Sequence, residues 1–240
     1  MLKITKKNSP NHYNGRCNWK ADMIVFHQTG NNSATKSINW YMNPSAQCSP
    51  HFVIDVNGNV YQLIELANAA WCNGTNTKQG DKLWYGYSLS DIVKSRKANA
   101  NFYTYSVEFV HCQWGNISEE QKTAAVELIG EVIIPDMLSH GVKPVIDREH
   151  LVGHSDVSPK TRDPEKFNCP GKQFPYDEII SRVNGKPVTK SEPTKSVDEI
   201  AREVIQGKWG AGEERKKRLT AAGYDYFEVQ ADVNDIMRGR

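Results

Sequence analysis

Three short apolar runs constrain this chain more than anything else in it: residues 22–27 (DMIVFH), 51–63 (HFVIDVNGNVYQL) and 105–110 (YSVEFV). They are dominated by β-branched, aliphatic and aromatic side chains, and each reads as buried strand. The middle run folds back on itself at Asn57-Gly58, a dipeptide suited to a tight hairpin turn. Helical signals follow. Ser118-Glu119-Glu120-Gln121 is a capping-box pattern. Ala124, Ala125, Leu128, Ile129, Val132 and Ile133 continue at helical spacing until Pro135 disturbs the pattern and Gly141 ends it. Residues 176–183 read as a closing helix. Strands interleaved with helices in this way predict an α/β domain, a central mixed β-sheet flanked by helices.

Two of the runs carry a titratable group. His27 ends the first, and Glu108 lies inside the third. Roughly residues 72–102, which hold Trp84, Tyr85 and Tyr87, form a long polar excursion between the hairpin and the third strand, of a size that is usually functional or mobile. Residues 153–171, GHSDVSPKTRDPEKFNCPG, set a histidine, aspartates and a cysteine among turn-formers. The prolines after Ser158 and Asp163 and the closing Cys169-Pro170-Gly171 exclude helix and strand interiors here. Loops on a rigid scaffold are where binding and catalytic groups tend to sit.

Beyond this domain, expected over residues 1–183, residues 184–196 (NGKPVTKSEPTKS) are polar, contain two prolines and show no periodicity. They read as a linker with a root-mean-square reach of about 20 Å on flexible-chain scaling. Residues 197–240 hold three short amphipathic stretches punctuated by Gly207, Gly210 and Gly223, a pattern that predicts a small three-helix bundle.

Composition excludes several classes of function. Hydrophobic residues at 38% and charged residues at 24% describe a globular protein of ordinary kind. A net charge of +2 is too mild for a nucleic-acid partner. No run approaches eighteen apolar residues, so membrane insertion is not expected. The opening MLKITKKNSPNHYNG lacks the apolar segment of a secretory leader. The five cysteines (Cys17, Cys48, Cys72, Cys112 and Cys169) are scattered and odd in number, which is no disulfide framework. Most read as small buried hydrophobes, with Cys169 in its polar loop the exception.

His27, His154 and Cys169 together offer two imidazoles and a thiolate. Three such ligands with a fourth position left for water is the arrangement of catalytic zinc. Glu108 would accept a proton from the activated water, and Lys160 would steady an oxyanion. Taken singly these signals are weak, and spacing alone does not select His27 from seven histidines.

The segments IVFHQTG, SPHFVID-NGNVYQLI, AAW-NG, YSVEF, ISEEQ and VGHSDVSPK-CPG resemble, in order, the zinc-dependent N-acetylmuramoyl-L-alanine amidases of the phage-lysozyme and peptidoglycan-recognition superfamily. The resemblance covers about residues 20–182. It implies an α/β fold with a zinc ion in a groove, His27 and His154 as histidine ligands, and Glu108 as the acidic group beside the metal. It implies further that Lys160 matches the catalytic lysine of the phage amidases. His51 and Trp71 fall near the site without ligating, as expected substrate contacts. Relatives place either Cys-Pro or Asp-Pro at the third ligand, and this chain has both, at Cys169-Pro170 and Asp163-Pro164. Because CPGKQFPYDEI continues as the cysteine branch does, Cys169 is the expected ligand and Asp163 the alternative. Lys160 is separated from Cys169 by eight residues where the phage amidases have one, an apparent insertion. Cys72 stands where many relatives carry histidine. The tail, with KWGAGEERKKRLTAAGYDY as its most specific part, resembles the three-helix cell-wall-binding repeat at the ends of some phage lysozymes.

Together these features predict an endolysin that hydrolyses the amide between N-acetylmuramic acid and the L-alanine of the stem peptide. It would stay in the host bacterial cytoplasm until lysis and then act on the cell wall. Bacterial peptidoglycan is the expected partner, and the C-terminal region is the segment through which copies could self-associate. Two other readings are a non-catalytic peptidoglycan-recognition protein and a stem-peptide endopeptidase.

Overall fold

A computed structural model of the chain describes residues 2–73, 78–79, 82–111, 115–159, 168–185, 195–221, 224 and 226–238. It separates into two compact units, Met1–Lys186 and Pro187–Arg240. The strands of the first unit are β1 (Ile4–Lys6), β2 (His12–Tyr13), β3 (Met23–Gln28), β4 (Phe52–Ile54), β5 (Val60–Gln62), β6 (Ala69–Ala70), β7 (Lys78–Gln79), β8 (Lys82–Leu83), β9 (Thr104–Phe109) and β10 (Leu151–Gly153). Its helices are α1 (Ala34–Met42), α2 (Asp91–Arg96), α3 (Glu119–Leu128), α4 (Ile134–Ser139), α5 (His154–Val157) and α6 (Tyr176–Val183).

Six strands form the main sheet in the order β1-β5-β4-β9-β3-β10. The four from β4 to β10 run parallel to their neighbours, whereas β5 is antiparallel to β4, so the sheet is mixed. Its centre is buried on both faces. Ile24 and Phe26 of β3 join the core built with Ala125 and Leu128 of α3 and Ile179 of α6. Met23 and Val25 point the other way, toward Val93, Tyr103 and Val157. Two-sided burial is why this strand reads as an unbroken apolar run rather than an alternating one. β9 differs. Tyr105, Val107 and Phe109 share the first core, whereas Thr104, Ser106 and Glu108 alternate onto the opposite face and are buried there.

Local chemistry fixes the connections. In the β4–β5 hairpin the Asp55 carboxylate accepts from the backbone N–H groups of Asn57 and Asn59, both at 2.9 Å. Gly58 takes φ +80°, and a Cβ there would meet the Glu120 carbonyl oxygen at 2.7 Å. Helix α3 opens on the capping box: Ser118 Oγ accepts from Gln121 N, and Gln121 Oε1 accepts from Ser118 N, each at 3.1 Å. The Gln121 amide then donates to the carbonyls of Ile54 and Val110 and ties the helix to the sheet. The helix does not stop at Pro135. It widens into a π-helical turn over Ile129–Ile133 and resumes as α4 with the proline in its first turn, where a missing N–H costs little.

The second unit holds α7 (Val197–Ile205), α8 (Gly212–Ala221) and α9 (Tyr226–Met237). Ser196 caps α7 in a second reciprocal capping box with Glu199. Ile200, Ala201, Val204, Leu219, Tyr224, Val229 and Val233 form its core, with Trp209 packed against it. Of the segment read as a linker, residues 186–194 lie outside the described residues. Asn184 still belongs to the first unit, its amide donating to the Ile146 carbonyl at 3.0 Å. Lys195 belongs to the second, paired with Glu203 at 2.5 Å.

Candidate functional site

The parallel strands β10, β3, β9 and β4 end on the same edge of the sheet, the edge outside which open α/β sheets place their ligands. His27 is the penultimate residue of β3 and Glu108 the penultimate residue of β9, and the two are register partners on one face. His154 follows β10 directly as the first residue of α5. Cys169 lies alongside, its carbonyl accepting from Ser155 N at 3.0 Å.

His27, His154 and Cys169 are all buried, and their ligand-type atoms lie within 4.8 Å of one another. The two imidazole rings stand 4.7 Å apart, centroid to centroid. Gln28 N–H donates to Cys169 Sγ at 3.4 Å. Metal–ligand bonds of about 2.0–2.3 Å put tetrahedral donors within such a span of one another, so the cluster is of the size that a zinc-sized cation requires. Two nitrogens and a sulfur are a donor set that suits zinc.

The GHSDVS stretch shows how the chain builds this corner. Gly153 has no room for a side chain: a Cβ would clash with the Tyr176 hydroxyl and come within 2.7 Å of Pro170 Cδ and 3.0 Å of the Cys169 carbonyl. Asp156 reaches back to accept from Gly153 N at 2.8 Å and pairs with Arg148 at 2.8 Å. Ser158 Oγ donates to the Asn73 carbonyl at 2.5 Å and ties the loop to the segment after β6.

Glu108 is buried beside the cluster, and the Tyr41 hydroxyl of α1 hydrogen-bonds its carboxylate. Burial first, and the negative charge of Glu108 next, push the Tyr41 phenol well above its ordinary range, so it stays a donor toward that carboxylate. Tyr41 carries no sequence signal that marks it. Asn73, which bonds His27, lies in the AAW-NG segment, but nothing in that segment points to the histidine.

Two residues expected to touch substrate sit differently. His51 is wholly buried: its Nδ1 accepts from Ser106 N at 3.1 Å, and its Nε2 lies 3.1 Å from the Asn68 carbonyl. Burial, and then the Arg16 guanidinium 3.0 Å away, lower its pKa to about 3, so the ring is neutral. It braces the hairpin behind the site and offers a substrate no open face. Trp71 is half-buried, bridged to Ser49 and edge-on to Tyr13 at 5.4 Å. Its indole nitrogen finds no acceptor among the described residues. The Cys72 thiol is raised well above its ordinary pKa by burial and stays protonated. Lys160 and Asp163 lie outside the described residues, as does Cys112.

Comparison with known proteins supplies the family. The model described as N-acetylmuramoyl-L-alanine amidase matches residues 18–172, and the CW_7 repeat matches residues 198–237. A lysozyme of Streptococcus phage Cp-7 is 40% identical over 65 residues, 26% of this chain. The chain spans only 19% of that relative's length. N-acetylmuramoyl-L-alanine amidase A of Achromobacter lyticus is 25% identical over 190 residues, covering 74% of this chain and 90% of that protein. Among solved structures, a mutant form of PlyL is similar at TM-score 0.52 and 18% identity, covering 76% of this chain and 99% of its own. A selenomethionine derivative of AmpD is similar at TM-score 0.50 and 14% identity, covering 76% and 95%. These likenesses show the shared fold.

Proposed function

The chain belongs to the N-acetylmuramoyl-L-alanine amidase family, and from that premise we propose that its strand-end site cleaves the amide between the lactyl group of N-acetylmuramic acid and L-alanine, with a zinc ion held by His27, His154 and Cys169. The observation that carries the reading is the buried His-His-Cys cluster with Glu108 in register beside it. When bound, zinc supplies Lewis acidity toward water and toward a carbonyl oxygen. The chain's own groups do the rest. Glu108 takes the proton of the attacking water and passes it to the alanine nitrogen as the C–N bond breaks. Tyr41, donating to that carboxylate, holds it in place. Lys160 is assigned to charge on the oxyanion by the family resemblance.

The C-terminal unit is read as a wall-binding repeat, which the CW_7 match supports. The chain is proposed to wait in the host cytoplasm and reach the wall on lysis, a reading that rests on the likeness to a phage lysozyme over the tail. Purified wall treated with the chain should yield free L-alanine amino termini. A chelator should abolish the release and added zinc restore it, while Glu108→Gln should keep stoichiometric zinc and lose roughly 10²–10⁴-fold in turnover. Chelator-insensitive release, or full turnover in Glu108→Gln, would overturn the assignment.

A further inference from the structure

His27 Nε2 lies 3.2 Å from Asn73 Oδ1. What lies behind that amide decides the proton on the imidazole. Asn73 Nδ2 donates to Thr104 Oγ1 at 2.8 Å, and Thr104 Oγ1 donates to the Ala100 carbonyl at 2.8 Å. A hydroxyl has one proton, and that of Thr104 is committed to the carbonyl, so toward Asn73 it can only accept. Asn73 must therefore turn its NH₂ to Thr104 and its oxygen to His27. An amide oxygen only accepts, so His27 Nε2 carries the proton. A neutral imidazole has a single N–H, which leaves the lone pair of Nδ1 for a cation.

The amide has little freedom to turn over. Asn73 and Thr104 are both wholly buried. The Asn73 backbone is pinned at both ends, its N–H donating to Asn101 Oδ1 at 2.9 Å and its carbonyl accepting from Ser158 Oγ at 2.5 Å. Asn101 is held in turn, its N–H donating to Asn99 Oδ1 at 3.0 Å. We propose that Asn73 is a positioning residue: it fixes His27 as the Nε2–H tautomer and so presents Nδ1 to the metal. This rests on the metal reading given above. Outer partners of this kind orient ligand imidazoles and raise their basicity, and their loss typically costs 10–100-fold in metal affinity.

The test uses the full chain and two readouts. Nitrogen-15 spectra of the metal-free protein report the tautomer of His27, and competition with a chromophoric chelator reports zinc affinity. Wild type should show Nε2–H and bind one zinc. Asn73→Leu should lose the fixed tautomer and weaken zinc binding 10–100-fold. Asn73→Asp keeps the acceptor and should bind zinc at least as tightly as wild type. Where circular dichroism shows Asn73→Leu unfolded, Thr104→Val serves instead: it leaves the Asn73 backbone ties in place and should weaken zinc binding in the same direction by less. An Nδ1–H tautomer in wild type, or unchanged zinc affinity in the folded variant, overturns the assignment. A wild type with Nε2–H but no zinc binding fails the metal reading itself, and the positioning role with it.

Discussion

Cys169 and Asp163 each precede a proline in the sequence, and the proposed zinc site takes one of them as its third ligand. Cys169 Sγ lies within 4.8 Å of a ring nitrogen of each histidine and receives the Gln28 N–H. Cys169→Ser should therefore lower zinc affinity sharply, because a thiolate gives way to a poor neutral ligand. Asp163→Asn should have a much smaller effect in the same competition assay, and the reverse order would hand the position to Asp163. His51 makes a separate prediction about pH. Its folded pKa of about 3 lies below the ordinary value of 6.5, so the unfolded chain binds its proton first. Above about pH 6.5 the ring is neutral in both states and adds no pH dependence; as pH falls from there toward 3 it costs the fold stability. Urea midpoints of wild type and His51→Gln should converge as pH falls through that window. Parallel curves would show that the ring is not held neutral.

At the scale of elements, what was legible in the sequence was local. The apolar run of β3, the Asn-Gly turn and the capping box at Ser118 each carry their signal within a few residues, and each lies where its pattern pointed. What escaped is set by tertiary neighbours. Pro135 reads as a disturbance of the helical pattern, but the π turn by which the helix passes it leaves no mark in the sequence. His51 lies in a recognisable hairpin, but its burial against Arg16 depends on a residue 35 positions away. Asn73 reaches His27 across 46 residues, a separation no local pattern registers. The Gly153 environment joins β10 to the Cys169 loop, so it gives a test at this scale. Gly153→Ala should force the loop outward, cost about 1–3 kcal/mol in overpacking, and weaken zinc binding although it removes no ligand. Thermal unfolding and zinc titration unchanged from wild type would mean that the loop absorbs the methyl without moving Cys169.

For the whole molecule, the two units carry separate cores. Leu219, Tyr224, Val229 and Val233 are spent on the core of the second unit, which leaves wall recognition to other groups. Residues 191–240 hold nine Lys and Arg against ten Asp and Glu, so nonspecific attraction to an anionic wall is not its mode. Tethering a wall-binding bundle raises the local substrate concentration without adding a catalytic contact. Truncation after Gly185, which keeps the Asn184 cap of α6, should leave turnover on small soluble muropeptides almost unchanged and slow lysis of intact walls. Equal lysis rates, with the isolated tail failing to pellet with peptidoglycan, would remove the targeting role. The central claim, amidase chemistry at a His-His-Cys site, is tested most directly by mass spectrometry of the products from purified peptidoglycan. The expected products are stem peptides that begin with free L-alanine and glycan whose muramic lactyl groups end in free carboxylates. Products that keep the lactyl–alanine linkage, with new termini inside the stem peptide or none at all, would contradict it.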